Sequence, residues 1–162
     1  MHPDHPCEVR NVDHELLIAQ AAALTEGCPH TVANLANVSA LIFQEMDRIN
    51  WAGFYLMEND VLVLGPFQGK PACIEIPLGK GVCGTAAAED RPQRVDDVHR
   101  FPGHIACDAA SRSELVIPLH GSGRVIGVLD IDSPEPARFS EQDEAAFVRL
   151  CQALERTIAA GR

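Results

Sequence analysis

Hydrophobic residues recur at helical spacing over two segments near the start of the chain. The segment from about 13 to 24, DHELLIAQAAAL, is rich in alanine, Asp13 can cap its N-terminus, and Gly27 follows as a stop signal. A second helix is predicted over roughly 31 to 47, because apolar residues recur there three or four positions apart. Its predicted buried face consists of Leu35, Val38, Leu41, Ile42, Met46 and Ile49.

Two later pairs of apolar segments have the pattern of β-hairpins. Residues 51–57 (WAGFYLM) and 61–67 (VLVLGPF) flank the polar letters END. Residues 114–120 (ELVIPLH) and 124–132 (RVIGVLDID) flank GSG, which has strong turn chemistry. Both pairs therefore predict antiparallel strands.

Between the hairpins lies a stretch of about fifty residues that is predicted to be irregular, and a loop that long inside a compact domain is usually functional. It carries most of the glycine and proline, and its letters GKGVCGTAAAED predict a glycine turn that leads into a short helix. After the second hairpin, Ser140 with Asp143 predicts the capped start of a last helix, EQDEAAFVRLCQALERTIAA.

This order of elements predicts an α+β fold, in which helices from both chain ends pack against a mainly antiparallel sheet. No repeat or linker divides the chain, so we expect a single domain over 1–162, with 1–12 as a flexible tail. A length of 162 residues suits one domain with a substantial core.

Charge and composition exclude several classes of function. Thirteen Lys and Arg against 23 Asp and Glu give a net charge of −10, which repels nucleic acid and anionic membranes. No apolar run approaches the roughly 20 residues that span a bilayer. The start, MHPDHPCEVR, lacks the apolar core of a secretory signal. We therefore expect a cytoplasmic protein with neither nucleic-acid nor membrane partners.

Six cysteines are the first unusual feature, because a reducing cytoplasm uses cysteines as core residues, metal ligands or redox-active thiols. Cys151 shares the apolar register of the last helix with Phe147 and Leu150, which predicts a core residue. Cys7 and Cys28, near the first helix, carry no functional signal. The other three, Cys73, Cys83 and Cys107, lie in the loop-rich middle.

A zinc site and a redox pair are the two hypotheses for these middle cysteines. His104 and Cys107 have the spacing H-x2-C, and Cys73 and Cys83 would complete four ligands, but the short C-x2-C pairs typical of zinc sites are absent. We therefore expect no metal. A redox pair needs an exposed thiolate and a second cysteine within reach. Cys107 lies in FPGHIACDAAS, a glycine-containing loop whose N–H groups could face a thiolate.

Strand parity predicts a cluster of carboxylates. Side chains alternate between the two faces of a strand, so Asp130 and Asp132 share a face, and a hairpin closed at GSG places Glu114 opposite or diagonal to both. Mutual repulsion then raises at least one pKa and keeps a proton available near neutrality. The alternative is a solvated acidic strand end. Parity also places Trp51 and Tyr55 on one face, either as core residues or as a platform for a ligand.

Six strings of the sequence resemble those of free methionine-(R)-sulfoxide reductases, a family of GAF-domain enzymes. They are NWAGFYL, LGPFQGKPAC, GKGVCG, DVHRFPGHIACD, SRSELVIPL and GVLDIDS, within a resemblance that covers about residues 30 to 155. The resemblance implies a GAF-like fold with six antiparallel strands. It also implies the reduction of free L-methionine (R)-sulfoxide to methionine with thioredoxin as electron donor, no further cofactor, and homodimers among family members.

The same resemblance implies roles for individual residues. Cys107 is similar to the cysteine that attacks the sulfoxide sulfur and becomes a sulfenic acid, and Cys73 to the resolving cysteine that forms a disulfide with it. Cys83 is similar to a third cysteine with an auxiliary resolving role. The remaining matches are acidic and aromatic residues that hold the substrate and protonate its oxygen: Glu114, Asp130, Asp132, Trp51 and Tyr55.

The chemistry of the substrate fits these residue types. A thiolate attacks a sulfoxide slowly unless a neutral acid protonates the departing oxygen, and ionised carboxylates pair with the ammonium of a free amino acid. A peptide-bound methionine sulfoxide lacks that ammonium, so buried charges would stay unpaired. The competing hypotheses are a GAF module that senses a small ligand without chemistry and a domain stabilised by zinc.

Overall fold

The computed structural model describes residues 11–105 and 109–160, with four helices, six strands and one 3-10 helix in that part of the chain. Their bounds in chain order are α1 His14–Thr25, α2 Thr31–Glu45, β1 Trp51–Glu58, β2 Val61–Gly69, β3 Glu75–Pro77, α3 Gly81–Glu89, β4 Gln93–Val95, the 3-10 helix Val98–Arg100, β5 Ser113–Gly121, β6 Arg124–Ser133 and α4 Glu141–Ala160.

The strands form one antiparallel sheet in the order β3-β2-β1-β6-β5-β4. This confirms the α+β class and the six antiparallel strands. Both predicted hairpins are present, β1–β2 and β5–β6. The second closes tightly: Gly121 pairs with Arg124, and the two turn residues Ser122 and Gly123 both have positive φ, as the favoured two-residue turns require.

Helices α2 and α4 pack on one face of the sheet, α1 packs on these two helices, and together they form the larger hydrophobic core. Alternate residues of the central strands point into it, including Phe54, Leu115, Ile117, Leu129 and Ile131. From α2, four of the six predicted residues are buried, while Leu41 and Ile49 are half-buried. The helix ends at Glu45 rather than at the predicted position 47, because the backbone of Met46 is already extended. Cys151 is 2% exposed in this core, as predicted.

Side-chain caps fix the starts of α1 and α4. The carboxylate of Asp13 accepts from the N–H of Leu16, as the sequence predicts. At α4, the N–H of Ser140 donates to Asp143 at 2.8 Å, and the N–H of Asp143 donates to Ser140 Oγ at 3.1 Å, which is a reciprocal capping arrangement. Asp143 also lies 2.8 Å from His14 Nε2, so the same carboxylate joins the two helices.

The middle segment supplies the two edge strands of the sheet and a helix on its opposite face. The predicted short helix is confirmed as α3, which packs on β5 and β6. The segment is less irregular than expected, since it also contains β3, β4 and the 3-10 helix. Each of these has only three residues, too few for a periodic pattern to show.

The predicted tail at the chain start lies partly within the described residues. Residues 1–10 lie outside the described residues, whereas Val12, inside the predicted tail, packs against the larger core. The single domain over 1–162 stays a prediction. Within the described part of the chain, no helix combines the length and hydrophobicity needed to cross a bilayer.

Candidate active site

The three predicted carboxylates lie side by side on the face of the sheet that α3 covers. Glu114 pairs directly with Asp132 across β5 and β6, and Asp130 lies two positions along β6 opposite Val116. On the other side of β6, Asp132 pairs with Trp51. The expected position of Glu114 opposite one aspartate and diagonal to the other is therefore confirmed, with a register shift of one residue between Leu119 and His120 that was not predicted. Because Glu114 and Asp130 are only 7% and 5% exposed, the alternative of a solvated strand end is wrong for these two.

Aromatic rings stand beside the carboxylates on β1 and β2. Trp51 stacks on Tyr55 with ring centroids 5.9 Å apart and on Phe67 at 5.1 Å. Trp51 and Tyr55 are 3% and 2% exposed, so they belong to the smaller hydrophobic core as well as to the site. Gly53, between them on β1, has no side chain because a Cβ there would lie 2.3 Å from Phe67 Cβ.

The polar atoms of these two aromatic residues hold the chain segment above them. Trp51 Nε1 donates to the carbonyl of Lys70 at 3.1 Å, and Tyr55 Oη donates to the carbonyl of Cys73 at 2.9 Å. Buried Trp and Tyr side chains usually find such partners. The segment 70–73 is thereby fixed at both ends over the aromatic rings.

These elements enclose a cleft of about 570 Å³, including its open mouth. The walls come from β1, β5, β6, the segment 70–73, the start of α3 and the loop before β5. They include Trp51, Tyr55, Lys70, Pro71, Ala72, Ile76, Gly81, Val82, Cys83, His104, Ile105, Ser111, Glu114, Asp130 and Asp132.

Burial controls the protonation of the carboxylates. It raises the pKa of Glu114 well above its usual range, and the neighbouring Asp130 and Asp132 charges raise it further. Burial also raises the pKa of Asp130 to about 6, although hydrogen bonds from Glu114 and Cys83 oppose that rise. Near neutral pH the site therefore holds a proton on Glu114 beside an ionised Asp130. Asp130 Oδ1 is buried and has no hydrogen-bond partner.

Cys83 lies on α3 against this pair. Its Sγ donates to Glu114 Oε1 at 3.7 Å, and the residue is 3% exposed. Burial raises the pKa of the Cys83 thiol well above its ordinary value, and the nearby carboxylates add to the rise. The structure therefore places Cys83 in the site as a neutral thiol.

The other predicted cysteines differ from Cys83 in their bonding state or lie outside the described residues. Cys73 is disulfide-bonded, whereas Cys28, Cys83 and Cys151 are free thiols. Cys107 lies outside the described residues, as does Cys7. The structure thus brings Cys73 to the rim of the cleft that contains Cys83 and the carboxylates.

Two sets of residues are candidate metal ligands. One is found among the described residues, and the other is the set considered in the sequence analysis. Single ligand atoms of Cys83, Glu114 and Asp130 lie within 4.8 Å of one another. Metal ligands must be deprotonated, and burial keeps the first two of these groups protonated. In the set built around His104, the disulfide removes Cys73 as a thiolate ligand. The chemistry of these side chains therefore favours protonated groups over metal ligands at this site.

Phe67, Lys70 and Ser111 are among the residues of the site that the reasoning from sequence missed. Phe67 stacks on Trp51 and reaches that position through a register shift of one residue in the β1–β2 pair, which strand parity cannot anticipate. Lys70 lies in the motif LGPFQGKPAC, so the motif itself was the available signal. Ser111 is 6% exposed and accepts from Asn50 Nδ2 at 3.2 Å, and its available signal was its place at the start of the string SRSELVIPL.

Comparisons with known proteins identify the fold and the relatives of this chain. A model of the GAF domain matches residues 32–159. Free methionine-R-sulfoxide reductase of Escherichia coli (strain K12) is 56% identical over 137 residues, which cover 85% of this chain and 83% of that protein. This chain belongs to the free methionine-R-sulfoxide reductase family.

Solved structures of the reductase family superimpose closely on the chain. The substrate complex of fRMsr from Staphylococcus aureus has a TM-score of 0.89 at 50% identity and covers 93% of this chain and 99% of that one. Free methionine-R-sulfoxide reductase from Neisseria meningitidis, in complex with its substrate, has a TM-score of 0.91 at 41% identity and covers 100% and 98%. The family resemblance and the GAF fold expected from the sequence are both confirmed.

Proposed function

We propose that this chain reduces free L-methionine (R)-sulfoxide to L-methionine, with thioredoxin as the electron donor. The observation that carries the proposal is the burial of Glu114 and Asp130 side by side, in a cleft whose rim bears the disulfide-bonded Cys73. This burial raises the pKa of Glu114 well above its usual range. The family supports the substrate and the class of reaction, an oxidoreductase. The preference for the (R) epimer rests on the family alone.

Glu114 is the proton donor in this proposal. Sulfoxide reduction needs an acid that is still protonated near neutral pH, because the oxygen leaves sulfur readily only after protonation. Burial gives Glu114 that property, and its pKa is raised further by both neighbouring aspartates. Cys83 adds a hydrogen bond that orients the Glu114 carboxyl group.

Asp130 and Asp132 bind the substrate ammonium. Asp130 Oδ1 is a buried oxygen without a hydrogen-bond partner, so an ammonium group would satisfy it. Asp132 lies between Glu114 and Trp51 in the sheet, which supports an ammonium position next to the aromatic rings. In this proposal those rings contact the substrate methyl group. A blocked peptide sulfoxide offers no ammonium and is therefore excluded by the cost of an unpaired buried charge.

Cys107 and Cys73 carry out the redox steps. The Cys107 thiol loses two electrons to the sulfoxide and becomes a sulfenic acid, and methionine leaves. The Cys73 thiol then condenses with the sulfenic acid, which forms a disulfide and releases water. Cys73, held over the aromatic rings by Tyr55, suits the resolving step better than Cys83, because the raised pKa of Cys83 makes it a weak nucleophile.

No cofactor or metal enters this cycle beyond the electrons that thioredoxin supplies. A cytoplasmic location suits an enzyme that needs reduced thioredoxin. A homodimer is part of the proposal as well, since exposed apolar side chains of α1 and α2, such as Leu16 and Val32, offer a surface for a second copy.

The test is NADPH consumption coupled through thioredoxin reductase and thioredoxin. Turnover is expected with free methionine (R)-sulfoxide and with neither the (S) epimer nor a blocked peptide sulfoxide. If none of the three is reduced while the coupling enzymes are active, the reductase proposal is wrong, and a module that senses a small ligand becomes the better account.

Three cysteine variants separate the roles. Cys107→Ser should abolish turnover, and Cys73→Ser should release one methionine per enzyme and then stop. Cys28→Ser is the matched control, because Cys28 is a free thiol at the end of α1, outside the cleft, and its loss should leave turnover unchanged. Normal turnover by Cys107→Ser would remove the assigned nucleophile.

A further inference from the structure

Residues 71–78 carry the most exposed large hydrophobic side chain of the described part of the chain. Ile74 is 71% exposed, and Leu78, at the other end, is 38% exposed. Ile74 and Ile76 are two positions apart, a spacing that would put both on the buried side of a regular strand. The backbone bends at Ile74 before β3 begins, so Ile76 is 5% exposed while Ile74 projects into solvent. Packing against the described residues 11–105 and 109–160 gives Ile74 no reason to be apolar.

The exposed isoleucine adjoins the disulfide. Ile74 directly follows Cys73, which is disulfide-bonded. The strand that follows, β3, is at the edge of the sheet and has β2 as its one neighbour. Exposed edge strands are common sites for contact with another protein. The side chain, the strand edge and the disulfide are thus contiguous.

Positively charged residues flank the same segment. The sequence contains only two lysines, Lys70 and Lys80, and they flank residues 71–78 on either side. Both are exposed, and Glu75 is the single charged residue between them. In a chain with a net charge of −10, this segment carries a local excess of positive charge. A partner that meets it is expected to present carboxylates around an apolar contact.

We propose that residues 71–78 form the docking surface for thioredoxin, with Ile74 as the apolar contact and the two lysines as contacts for acidic side chains of that partner. This rests on the proposed function, because only an enzyme that ends each cycle with a disulfide needs a dithiol partner at this place. Redox encounters use small interfaces, so one exposed isoleucine beside a short strand edge is sufficient.

Docking here determines which sulfur is attacked. A thiolate of thioredoxin attacks Cys73 Sγ, an intermolecular disulfide forms, and the former partner sulfur, that of Cys107, leaves as a thiolate. The second thioredoxin cysteine then attacks the intermolecular disulfide and releases Cys73. Two electrons and two protons pass from thioredoxin to the enzyme. Attack at Cys73 restores the nucleophile Cys107 in the first of these steps.

The experiment compares two reductants with surface variants. Turnover of free methionine sulfoxide is measured with varied thioredoxin and, separately, with dithiothreitol, which needs no docking surface. Ile74→Asp should raise the KM for thioredoxin about tenfold or more and leave dithiothreitol-driven turnover within about twofold. Lys80→Glu should raise that KM about threefold, with the difference lost at high salt. Ala145→Asp is the matched control, since Ala145 is exposed on α4, away from residues 71–78, and it should change neither reaction.

Each result separates the two proposals. An unchanged KM for thioredoxin in Ile74→Asp, with normal dithiothreitol-driven turnover, overturns the docking surface and leaves the function intact. Failure of the wild type with both reductants overturns the function itself. A second measurement uses the wild-type enzyme and a thioredoxin that lacks its second cysteine, so that the intermolecular disulfide accumulates. Mass spectrometry should map it to Cys73, and a bond to Cys107 would overturn the proposal.

Discussion

Replacing Asp130 by asparagine is expected to stabilise the protein at neutral pH while it impairs substrate binding. Asp130 is 5% exposed, and burial raises its pKa from the ordinary 3.8 to about 6. Between pH 3.8 and about 6, Asp130 is therefore protonated in the folded state but already ionised in the unfolded state. The stability that this difference contributes is fully present only below about pH 4, and it is lost as the pH rises through 6.

The size of the effect follows from the two pKa values. One pKa unit corresponds to about 1.36 kcal/mol, so the difference between 3.8 and about 6 corresponds to about 3 kcal/mol of lost stability above pH 6. Asp130→Asn removes this cost. The new amide adds a cost of its own, about 1 to 3 kcal/mol if one of its polar atoms stays unpaired, but that cost does not depend on pH.

Urea unfolding at pH 4, 6 and 7.5, followed by circular dichroism under the same reducing conditions, measures the difference directly. The free energy of unfolding of Asp130→Asn minus that of the wild type should increase by about 3 kcal/mol from pH 4 to pH 7.5. The constant cost of the amide cancels in this comparison. Asp60→Asn, at an exposed turn position, is the control and should show a change below about 0.5 kcal/mol.

A difference that stays constant across this pH range would refute the reasoning, because it would mean that Asp130 titrates alike in the folded and unfolded states. A decrease with rising pH would show that an ionised Asp130 is stabilised by a partner in the folded protein. Either result would also remove the argument that a substrate ammonium pairs with the buried Oδ1 of Asp130.

Three further predictions concern the proton donor, the aromatic wall and a histidine outside the cleft. Glu114→Gln should lower kcat about 100- to 10,000-fold in the thioredoxin-coupled assay, and it should abolish the fall in wild-type turnover as the pH rises through the raised pKa. Gly53→Ala should cost about 1 to 3 kcal/mol in urea unfolding, because its Cβ would lie 2.7 Å from the Cα of Phe67. Burial lowers the pKa of His120, but hydrogen bonds to two carboxylates outweigh burial and raise it. His120→Gln should therefore lose less than about 1 kcal/mol at pH 5.5 and nothing at pH 9, as unfolding at both values will show.

The sequence predicts the carboxylate cluster from strand alternation, but one part of the register could not be predicted. The pairing of Gly121 with Arg124, continued along the hairpin, would set Glu114 opposite Ile131. A register shift of one residue between Leu119 and His120 instead pairs Glu114 with Asp132 and so brings the carboxylates onto one face. The raised pKa values follow from this placement once burial is added.

Other parts of the site depend on long-range contacts that leave no periodic signal. The hydrogen bonds from Trp51 and Tyr55 to the carbonyls of Lys70 and Cys73 join residues 18 and 19 positions apart. Ile74 breaks the alternation that would bury it, because the chain bends one residue before β3. The neutral state of the Cys83 thiol depends on packing of α3 against the carboxylates, which spacing along the chain does not reveal.

The hydrogen bonds that hold the segment 70–73 go to main-chain carbonyls rather than to side chains. Every residue type offers the same carbonyl, so the position of the segment is largely independent of which side chains it carries. Residues 71 and 72 line the cleft, and they can therefore be exchanged in a library without moving the neighbouring cysteine. Because Trp51 and Tyr55 hold the segment by its main chain, directed evolution of its side chains can alter the accepted sulfoxide while the redox chemistry is kept.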